Sequence, residues 1–469
     1  MKTEIAAYYD YNKNAFKNYL ISETELLHIW FKREYFKTEG LKVGAEIEFL
    51  LLDNNYQLVP QNQLFTQQLN DPNVIPEAGA SQLEINTAVF PLCDNFLSDL
   101  HQSVLSTWSK CCRLARKHNA HLALIGSMPQ AEECHSAREY ITPHPSYRLM
   151  NDNVSKYRQG LPLSLKLNGA EEEFIFQPQS LSVEGLISSL QLHLEVSPEQ
   201  SVTYYNTMQM LSAPLLSLCA NAPFFYGKEL WSESRIAIFE QLYSFPSPYQ
   251  NCVFFEPHYL KNNFFSLFKA NLNNYPHLLP EVAKGEPSHH LFHLRKQNST
   301  VYRWNRPIVD FNTHDEPYLR IEHRPLSSGP SIVDMIANAA FFYGLVYFFA
   351  NRDEPETSLI PFKESYANFY QAACSGLRAR LMWNGIEVDT LHLLNDFLPL
   401  ARKGLEDLGI VKADIDYYLE IIHHRLLKQQ NGSIWQQNFI KRYGYDFENL
   451  LGHYLENQYR EIPISEWLI

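Results

Sequence analysis

Apolar and polar residues alternate along several short stretches of the chain, which is the pattern of β-strands with one buried face. Apolar residues at helical spacing predict helices near residues 96–119 and 198–220, and the apolar run 335–350 predicts a buried core helix. A capping-box pattern at residues 22–25 predicts that another helix begins there. The alternating pattern predicts strands over residues 41–52, 81–89, 121–125, 188–196, 301–304 and 318–325.

The C-terminal quarter of the chain differs from the rest, because helical patterns dominate after Pro355. No linker rich in Gly, Ser or Pro separates the two parts, and no internal repeat occurs. The sequence therefore predicts one α+β structural unit, with a catalytic domain over residues 1–354 and a C-terminal helical region over 355–469 packed on it. The polar, proline-interrupted residues 130–179 predict long loops over a site.

The overall charge limits the classes of partner. The chain carries 52 acidic and 39 basic residues, a net charge of −13, whereas proteins that bind nucleic-acid backbones normally present basic surfaces. We therefore expect small-molecule partners and no nucleic acid. The start of the chain lacks the pattern of a signal peptide, the run 335–350 is short for a membrane span, and the seven cysteines form no CxxC motif, so we expect a cytoplasmic protein with reduced thiols.

Charged side chains interrupt strands that otherwise have a buried pattern. Glu46 and Glu48 share one face of the first strand, because alternate residues of a strand project to the same side. Two buried like charges are unfavourable unless a cation lies between them. Other predicted strands carry polar side chains in the same way: Glu84; Gln191, His193 and Glu195; and Arg320, Glu322 and Arg324.

Together these residues are typical of phosphoryl transfer. Mg²⁺ prefers carboxylate oxygens and keeps positions open for phosphate, while the guanidinium group of arginine holds phosphate or carboxylate. The chain has neither a GxxxxGK[ST] loop nor a GxGxxG turn, so arginines and metals would have to hold the phosphates of any nucleotide. For each motif alone a structural role remains open, and Glu322 between two arginines also suits a plain ion pair.

Four further arginines are candidate contacts of a nucleotide or substrate: Arg148, Arg235, Arg303 and Arg306. The last two lie in an aromatic, turn-rich stretch that suits stacking of an adenine or clamping of an anion, although a structural or surface role fits each of the four equally well. For the three histidines at 289, 290 and 293 we expect no acid or cysteine partners, which favours a solvated loop over a zinc site.

Taken in order, the motifs between about residues 40 and 350 resemble those of the glutamate–cysteine ligase family, whose catalytic fold is similar to that of glutamine synthetase. Jointly they are specific, although each alone is weak. Gln191 departs from the family pattern, which has a histidine there. The matching segments are GAEIEF (44–49), EINT (84–87), IGSMP (125–129), QLHL (191–194), ANAPF (220–224), SESR (232–235) and RIEHR (320–324).

The resemblance implies a curved antiparallel sheet that forms a funnel, with helices on its outer face, ATP entering at one end and substrates at the other. It implies that a substrate carboxylate attacks the γ-phosphate of ATP and that an amine then displaces phosphate from the acyl phosphate. Two or three Mg²⁺ or Mn²⁺ ions would be held by Glu46, Glu48, Glu84, Glu322 and His193. The predicted catalytic residues are Glu48, Arg320 and Arg324, and the predicted contacts of ATP or substrate are Arg148, Gln191, Arg235, Arg303 and Arg306.

Three functions are compatible with this pattern. The first is an ATP-dependent carboxylate–amine ligase that joins a glutamate-like acid to an amino acid or amine. The second is a phosphotransferase that uses the same pocket to phosphorylate a guanidino or amine group. The third is a non-catalytic protein that binds metal and nucleotide, which the altered residue Gln191 keeps open. The aromatic helices after Pro355 suit either a homodimer face or an ordinary core.

Overall fold

The computed structural model describes residues 9–10, 12–169, 172–283, 288–353 and 359–469. Its centre is an antiparallel sheet of eight strands that curls into a half barrel. In space the strands follow the order β7–β8–β6–β1–β3–β2, and β4 and β5 also pair with β1. They are β1 (Lys42–Leu52), β2 (Val74–Pro76), β3 (Gln82–Asn86), β4 (Phe90–Pro91), β5 (His121–Ala123), β6 (Ser189–Val196), β7 (Asn305–Phe311) and β8 (Pro317–Ser327).

Helices cover the outer face of the sheet and form the C-terminal layer. They are α1 (Lys13–Lys32), α2 (Asn62–Leu69), α3 (Phe96–Lys117), α4 (Pro145–Tyr157), α5 (Ser201–Cys219), α6 (Arg235–Leu242), α7 (Phe265–Asn274), α8 (Phe292–Ser299), α9 (Ile332–Ala350), α10 (Phe362–Ser375), α11 (Thr390–Asp407), α12 (Lys412–Lys428), α13 (Gly432–Tyr443) and α14 (Phe447–Tyr459). The predicted α+β class with a curved antiparallel sheet is confirmed.

Short elements complete the described chain. Two-stranded pairs join Tyr9–Asp10 to Val282–Ala283, Leu165–Asn168 to Glu173–Phe176, Phe224–Phe225 to Lys228–Glu229, Val253–Phe254 to Tyr302–Arg303, and Arg380–Trp383 to Ile386–Asp389. Single 3₁₀ turns span Glu133–Ser136, Arg138–Tyr140, Leu181–Leu186, Ser288–His290, Gly376–Arg378 and Ile464–Glu466.

Strand β1 separates the core from the polar face of the sheet. Its odd-numbered residues, from Val43 to Phe49, are buried against the core helices, whereas Gly44, Glu46 and Glu48 on the opposite face are only partly covered. This alternation is the one that the sequence predicts for a strand with one buried face.

Helices α5 and α9 pack behind the sheet and hold its central strands. The hydroxyl of Tyr343 on α9 donates to the backbone carbonyl of His193 at 2.9 Å and to that of Gly44 at 3.3 Å. Helix α9 is long and apolar enough to cross a membrane, but 89% of its apolar window is buried inside the protein, which agrees with the predicted core helix.

The C-terminal helices pack on this core. Helices α11 and α12 contact α9, and α10 contacts α5. The hairpin Arg380–Trp383/Ile386–Asp389 interrupts the predicted run of helices. The predicted boundary between residues 354 and 355 lies outside the described residues.

The predicted helix start at residues 22–25 is wrong, because α1 begins nine residues earlier, at Lys13. The side chain of Asn12 caps it and accepts from the N–H groups of Asn14 and Ala15. Thr24 instead lies inside the helix, where its hydroxyl donates to the carbonyl of Leu20 at 2.7 Å. A Ser/Thr–Glu pattern therefore marked the middle of a longer helix here.

Other elements of the structure were also not predicted. Residues 130–179 contain α4 and a hairpin where we predicted loops, because Pro145 opens a helix whose Met150 and Val154 are buried. Strand β7 contains Pro307, which argues against a central strand, but β7 lies at the edge of the sheet, where a proline is tolerated.

Candidate active site

Three adjacent strands bring acidic side chains to one face of the sheet. The register of β1 and β3 places Glu48 directly opposite Glu84. The register of β1 and β6 places Glu46 opposite Gln191. Directly opposite residues have Cβ atoms about 5 Å apart, so the carboxylates predicted from separate strands lie close together.

The same face continues onto β8 and the edge strand β7. His193 on β6 lies opposite Glu322 on β8, and Glu322 in turn lies opposite Arg306 on β7. The register of β6 and β8 shifts between His323 and Leu326. Such an irregularity re-aims side chains next to it, and Arg324 lies within this shifted segment.

This polar face lines a cavity of about 280 Å³. Carboxylates, arginines and aromatic side chains all contribute to its wall, so it offers groups for cations, anions and apolar surface. The carboxylates are Glu46, Glu48, Glu77, Glu84 and Glu184, the arginines are Arg235, Arg306 and Arg324, and the aromatic residues are Tyr147, Phe239, Tyr302 and Trp304.

Glu48 is held by three donors. The backbone N–H of Ser189 lies 2.6 Å from its Oε2 atom, and the amides of Gln82 and Gln191 donate from 3.3 and 3.1 Å. Burial nevertheless raises the pKa of Glu48, and Arg324 offsets this only in part. Its carboxylate is therefore fixed in position but short of positive charge.

Gln191, which replaces the first histidine of the family pattern, connects two predicted site residues. Its amide nitrogen donates to Glu48, and its amide oxygen accepts from Arg324. A carboxamide offers a donor and an acceptor at fixed positions, and Gln191 uses both here. The substitution thus ties Arg324 to the carboxylate cluster.

Glu46, His193 and Arg320 form a chain of contacts across three strands. The Nε2 atom of His193 lies 3.1 Å from Glu46, and Arg320 donates to its Nδ1 atom at 2.6 Å. Since Nδ1 accepts from a guanidinium group, Nε2 is the ring nitrogen that faces Glu46, without the geometry of a hydrogen bond. Burial opposes ionisation of Glu46, but His193 outweighs it and lowers the pKa of that carboxyl group.

Glu322 forms a buried ion-pair network with two arginines. Arg306 binds both of its oxygens at 2.7 and 2.9 Å, and Arg324 adds a third contact at 2.8 Å. Burial alone would raise the pKa of Glu322, but the two arginines outweigh it and hold that pKa well below its ordinary value. Glu322 is thus a predicted metal ligand whose charge two arginines of the protein already neutralise.

Glu84 and Glu77 lack such neutralisation. Burial, reinforced by Glu46, raises the pKa of Glu84 well above its ordinary value. Burial also raises the pKa of Glu77 to about 8, with Glu48 and Glu184 adding to the effect. Among the described residues, no lysine, arginine or histidine nitrogen lies within 4.0 Å of the carboxylates of Glu48, Glu77 or Glu84.

Hard divalent cations fit this group of side chains. Several carboxylates converge without a protein cation among them, and oxygen ligands of this kind are the ones that Mg²⁺ and Mn²⁺ prefer. The ligand atoms of Glu46, His193 and Glu322 lie within 4.8 Å of one another. For His193 to bind a metal through Nε2, Arg320 would first have to release Nδ1, because a neutral ring carries one proton.

A second cavity meets the first at Glu46, which lines both. It lies at the other end of the same strands and includes Lys42, His193, Tyr318 and Arg320. A third cavity, beside α8, borders on Arg306 and Arg320. The two cavities therefore share Glu46 and lie along the same polar face of the sheet.

Two of the predicted arginine contacts lie elsewhere in the structure. Arg303 is fully buried outside the cavity, where it binds Glu256 at 2.6 Å and Asn271 at 2.6 Å. Arg148 is exposed on α4, and its neighbours Tyr147 and Met150 line the cavity instead. Residues at neighbouring positions of a helix point in different directions, so the sequence alone did not show which one faces the site.

Arg235 lines the cavity but is already engaged by the protein. Its Nε atom donates to Glu233 at 3.0 Å, and an Nη atom donates to the carbonyl of Pro325. Arg324 can still donate a further hydrogen bond, because its buried Nε atom has no acceptor among the described residues. Of the two, Arg324 is the better placed to bind an anion in the cavity.

Sequence reasoning missed two acids of the site, Glu77 and Glu184. Glu77 follows the short strand β2, and Glu184 lies in the 3₁₀ turn Leu181–Leu186, so neither falls on an alternating strand face. Gly79 and Gly185 press the two segments together, because a Cβ atom added to either would lie 2.3 Å from the other's Cα. In the sequence, a glycine close to each of these two acids was the only signal that the two segments pack together.

The histidine cluster also differs from expectation. His289 and His290 both contact Asp315, at 2.9 and 2.7 Å, although that residue lies 25 positions or more away in the sequence. His293 is buried and lies 2.6 Å from Glu23. The prediction that no acid lies near these histidines is therefore wrong for the folded structure. His289 and Asp315 are nevertheless exposed, as expected of a surface loop.

The chain matches a protein-family model but no curated protein. The model of glutamate–cysteine ligase family 2 matches residues 42–449. A sequence search of curated proteins returned no match.

Three solved structures are similar to this chain at low identity. The bifunctional glutathione synthetase from Pasteurella multocida is 12% identical with a TM-score of 0.52, and the alignment covers 93% of this chain but only 55% of that one. The glutamate–cysteine ligase from Francisella tularensis in complex with AMP is 13% identical, with a TM-score of 0.49 and coverage of 92% and 89%. PafA, the ligase of the prokaryotic ubiquitin-like protein Pup, is 12% identical, with a TM-score of 0.43 and coverage of 89% and 72%.

Proposed function

The chain belongs to glutamate–cysteine ligase family 2 and is an enzyme of the carboxylate–amine ligase kind, and we propose that it couples ATP cleavage to amide formation through an acyl phosphate. The carboxylate donor is a glutamate-like acid, and the acceptor is an amino acid or another amine. The enzyme would act on these small molecules in the cytoplasm.

One observation carries this proposal. Glu46, Glu48 and Glu84 face one cavity from neighbouring strands, and Arg306 and Arg324 line the same cavity beside them. Carboxylates that hold divalent cations, opposite guanidinium groups that hold anions, are the groups that phosphoryl transfer requires.

The residues of the chain have distinct tasks in this scheme. Glu46, Glu48, Glu77 and Glu84 would hold Mg²⁺ or Mn²⁺, which supplies neutralisation of the phosphate oxygens when bound. Glu322 instead positions Arg306 and Arg324 through its three contacts. Arg324 and Arg320 would contact the transferring phosphoryl group, where fixed positive charge stabilises the transition state most.

The reaction balances with these groups. An oxygen of the substrate carboxylate attacks the γ-phosphorus, the bond to ADP breaks, and an acyl phosphate forms. The nitrogen of the amine then attacks the acyl carbon, phosphate leaves, and the ammonium proton is lost to a base or to water. The nucleotide would enter through the second cavity, past Lys42 and Tyr318, and the acid and amine would enter through the first.

Oxygen transfer tests this proposal most directly. With ¹⁸O in the carboxylate of glutamate, Mg²⁺ and a panel of amines, we expect one labelled oxygen in each phosphate released, with release that requires both acid and amine. Glu48→Ala should abolish the release, and Glu240→Gln, at a half-buried acid that does not line the cavity, should retain it. Phosphate that stays on the amine would indicate the phosphotransferase, and ATP binding without turnover over the panel would indicate a non-catalytic protein.

A further inference from the structure

The cavity contains one carboxylate that the proposed metal and phosphate contacts do not use. Glu184 is half-buried in the wall, and its Oε2 atom accepts a hydrogen bond from the hydroxyl of Tyr243 at 2.6 Å. In the described part of the chain, no donor reaches its second oxygen, and no lysine, arginine or histidine nitrogen lies within 4.0 Å. Glu184 is one of the residues that line the cavity.

The surroundings of Glu184 are aromatic and soft rather than cationic. The ring of Tyr302 lies 5.2 Å from that of Tyr243, and the ring of Phe239 lies 5.2 Å from that of Tyr302. The sulfur of Met150 lies 3.6 Å from the hydroxyl of Tyr243 and 3.5 Å from that of Tyr302. A carboxylate set among aromatic rings is the usual protein environment for an organic ammonium group.

The nearest other charges do not neutralise Glu184. Burial raises the pKa of Glu184 to about 7, and the repulsion from Glu48 exceeds the attraction from Arg324. Arg324 is itself shared with Glu322 and Gln191. The backbone contact between Gly79 and Gly185 fixes the turn that carries Glu184, so the side chain cannot move far to find another partner.

We propose that Glu184 and Tyr243 form a subsite for a cationic group of the acceptor, so that the amine substrate is a diamine or another amine with a second ammonium group. This inference rests on the proposed ligase function and names the class of its amine. The second ammonium group would donate to the free oxygen of Glu184 and lie against the rings of Tyr302 and Phe239, which line the cavity, while Tyr243 holds the carboxylate in place from behind. The reacting nitrogen would reach the acyl carbon beside the carboxylate cluster. An acceptor with a thiol or alkyl end would leave that carboxylate without a cationic partner, which costs affinity.

A matched pair of amines tests the subsite. We expect wild-type kcat/KM, measured by phosphate release with glutamate, ATP and Mg²⁺, to favour 1,4-diaminobutane over butylamine by about 10- to 100-fold, the range for one charge-assisted hydrogen bond. Glu184→Gln keeps an acceptor for Tyr243 but removes the charge, so the two amines should become equal to within about threefold. A wild-type ratio near one, or an unchanged ratio in Glu184→Gln, would overturn the proposal.

Glu240→Gln is the matched control. Glu240 is also half-buried, its pKa is also raised by burial to about 7, and it accepts from Trp304 and Tyr370, yet it does not line the cavity. The Glu240→Gln variant should keep the wild-type preference for 1,4-diaminobutane over butylamine. If Glu184→Gln instead raised the KM for glutamate and left the amine ratio intact, Glu184 would belong to the acid subsite, and the proposal would be wrong.

Binding without turnover separates this inference from the ligase function. Calorimetry with Mg²⁺ and a non-hydrolysable ATP analogue should show tighter binding of 1,4-diaminobutane than of butylamine, and this difference should disappear in Glu184→Gln. If no acid and amine support phosphate release but this binding pattern holds, the ligase proposal fails and the subsite stands. Equal binding of the two amines would reject the subsite whether or not the ligase turns over.

Discussion

The protein buries charged side chains in two regions, and these regions differ in the source of the opposite charge. Between α9 and α12, Asp334 meets Arg425 at 2.8 Å, and Arg425 also binds Asn338 at 2.6 Å, so acid and base neutralise each other. In the cavity, Glu48 and Glu84 face each other across two strands, and no lysine, arginine or histidine nitrogen of the described residues lies within 4.0 Å of either carboxylate. The first arrangement is a structural ion pair, and the second requires a ligand.

The comparison shows why burial of charge alone is a poor guide to function. Both regions contain acids that are almost inaccessible to solvent, 0% for Asp334 and 5% for Glu84. In the cavity several acids share one space with an opening to solvent, whereas Asp334 is paired with Arg425. A buried charge whose partner is missing from the protein indicates a binding site, whereas a completed pair indicates packing.

The largest effect is expected from removing a carboxylate of the cavity. Glu48→Ala should lower kcat/KM for ligation by about a thousandfold or more, because a lost metal ligand removes several kcal/mol of charge stabilisation in the transition state. The free energy of unfolding should change little or rise, since a buried repulsion is removed. Kinetics and urea unfolding on the same preparation check both, and a loss of fold rather than of rate would contradict the comparison.

The completed ion pair should respond in the opposite way. Asp334→Ala leaves Arg425 buried and unpaired, and it should lower the free energy of unfolding by about 3–5 kcal/mol. The activity of the protein that remains folded should be close to that of the wild type, because Arg425 lies outside the cavity. A destabilised variant with a large loss of kcat at low temperature would show that this region also serves the site.

A smaller effect concerns the dependence of stability on pH. Burial raises the pKa of Glu77 to about 8 from its ordinary value of 4.5, so the folded protein holds a proton over an interval where the unfolded chain has lost it. Stability from this group is therefore complete below pH 4.5 and is lost progressively as the pH rises from 4.5 through 8.

Unfolding by urea at pH 5, 6.5 and 8 measures this loss. Glu77→Gln should flatten the decline, and Mg²⁺ should stabilise the wild type more at pH 8 than at pH 5, because the cation replaces the missing neutralisation. A wild type that becomes more stable between pH 5 and 8 without metal, by an amount that Glu77→Gln does not change, would contradict this assignment.

The smallest effect is expected at a residue that the sequence proposed and the structure places outside the cavity. Arg148→Ala should change kcat/KM less than about twofold and the free energy of unfolding by less than about 0.5 kcal/mol, because the side chain is exposed. Arg324→Ala serves as the contrast within the site. A large kinetic effect of Arg148→Ala would mean that α4 moves towards the cavity during the reaction.

The acids on strands could be predicted from the sequence because strand geometry is simple. An apolar strand with glutamates at alternate positions places Glu46 and Glu48 on one face whatever the remaining fold, and Glu84 repeats the signal. The strand predicted over residues 41–52 is found at Lys42–Leu52 for the same reason.

The remaining residues depend on contacts that no local pattern records. Glu184 reaches the cavity because its turn packs against Gly79, more than a hundred residues earlier in the chain. Glu256 and Asn271 bind the side chain of Arg303 outside the cavity, and these contacts form only through tertiary packing. Long side chains such as arginine have too many possible directions for sequence spacing to assign them to a site.

Direct measurement of bound metal tests the central claim that the cavity acids need a cation from outside the protein. In a Mn²⁺ titration of the whole protein with a non-hydrolysable ATP analogue, followed by electron paramagnetic resonance, we expect at least one tightly bound ion in the wild type and in Glu240→Gln. Glu84→Gln and Glu48→Ala should lose or greatly weaken it. No bound ion in the wild type, or binding that Glu84→Gln leaves unchanged, would contradict the account.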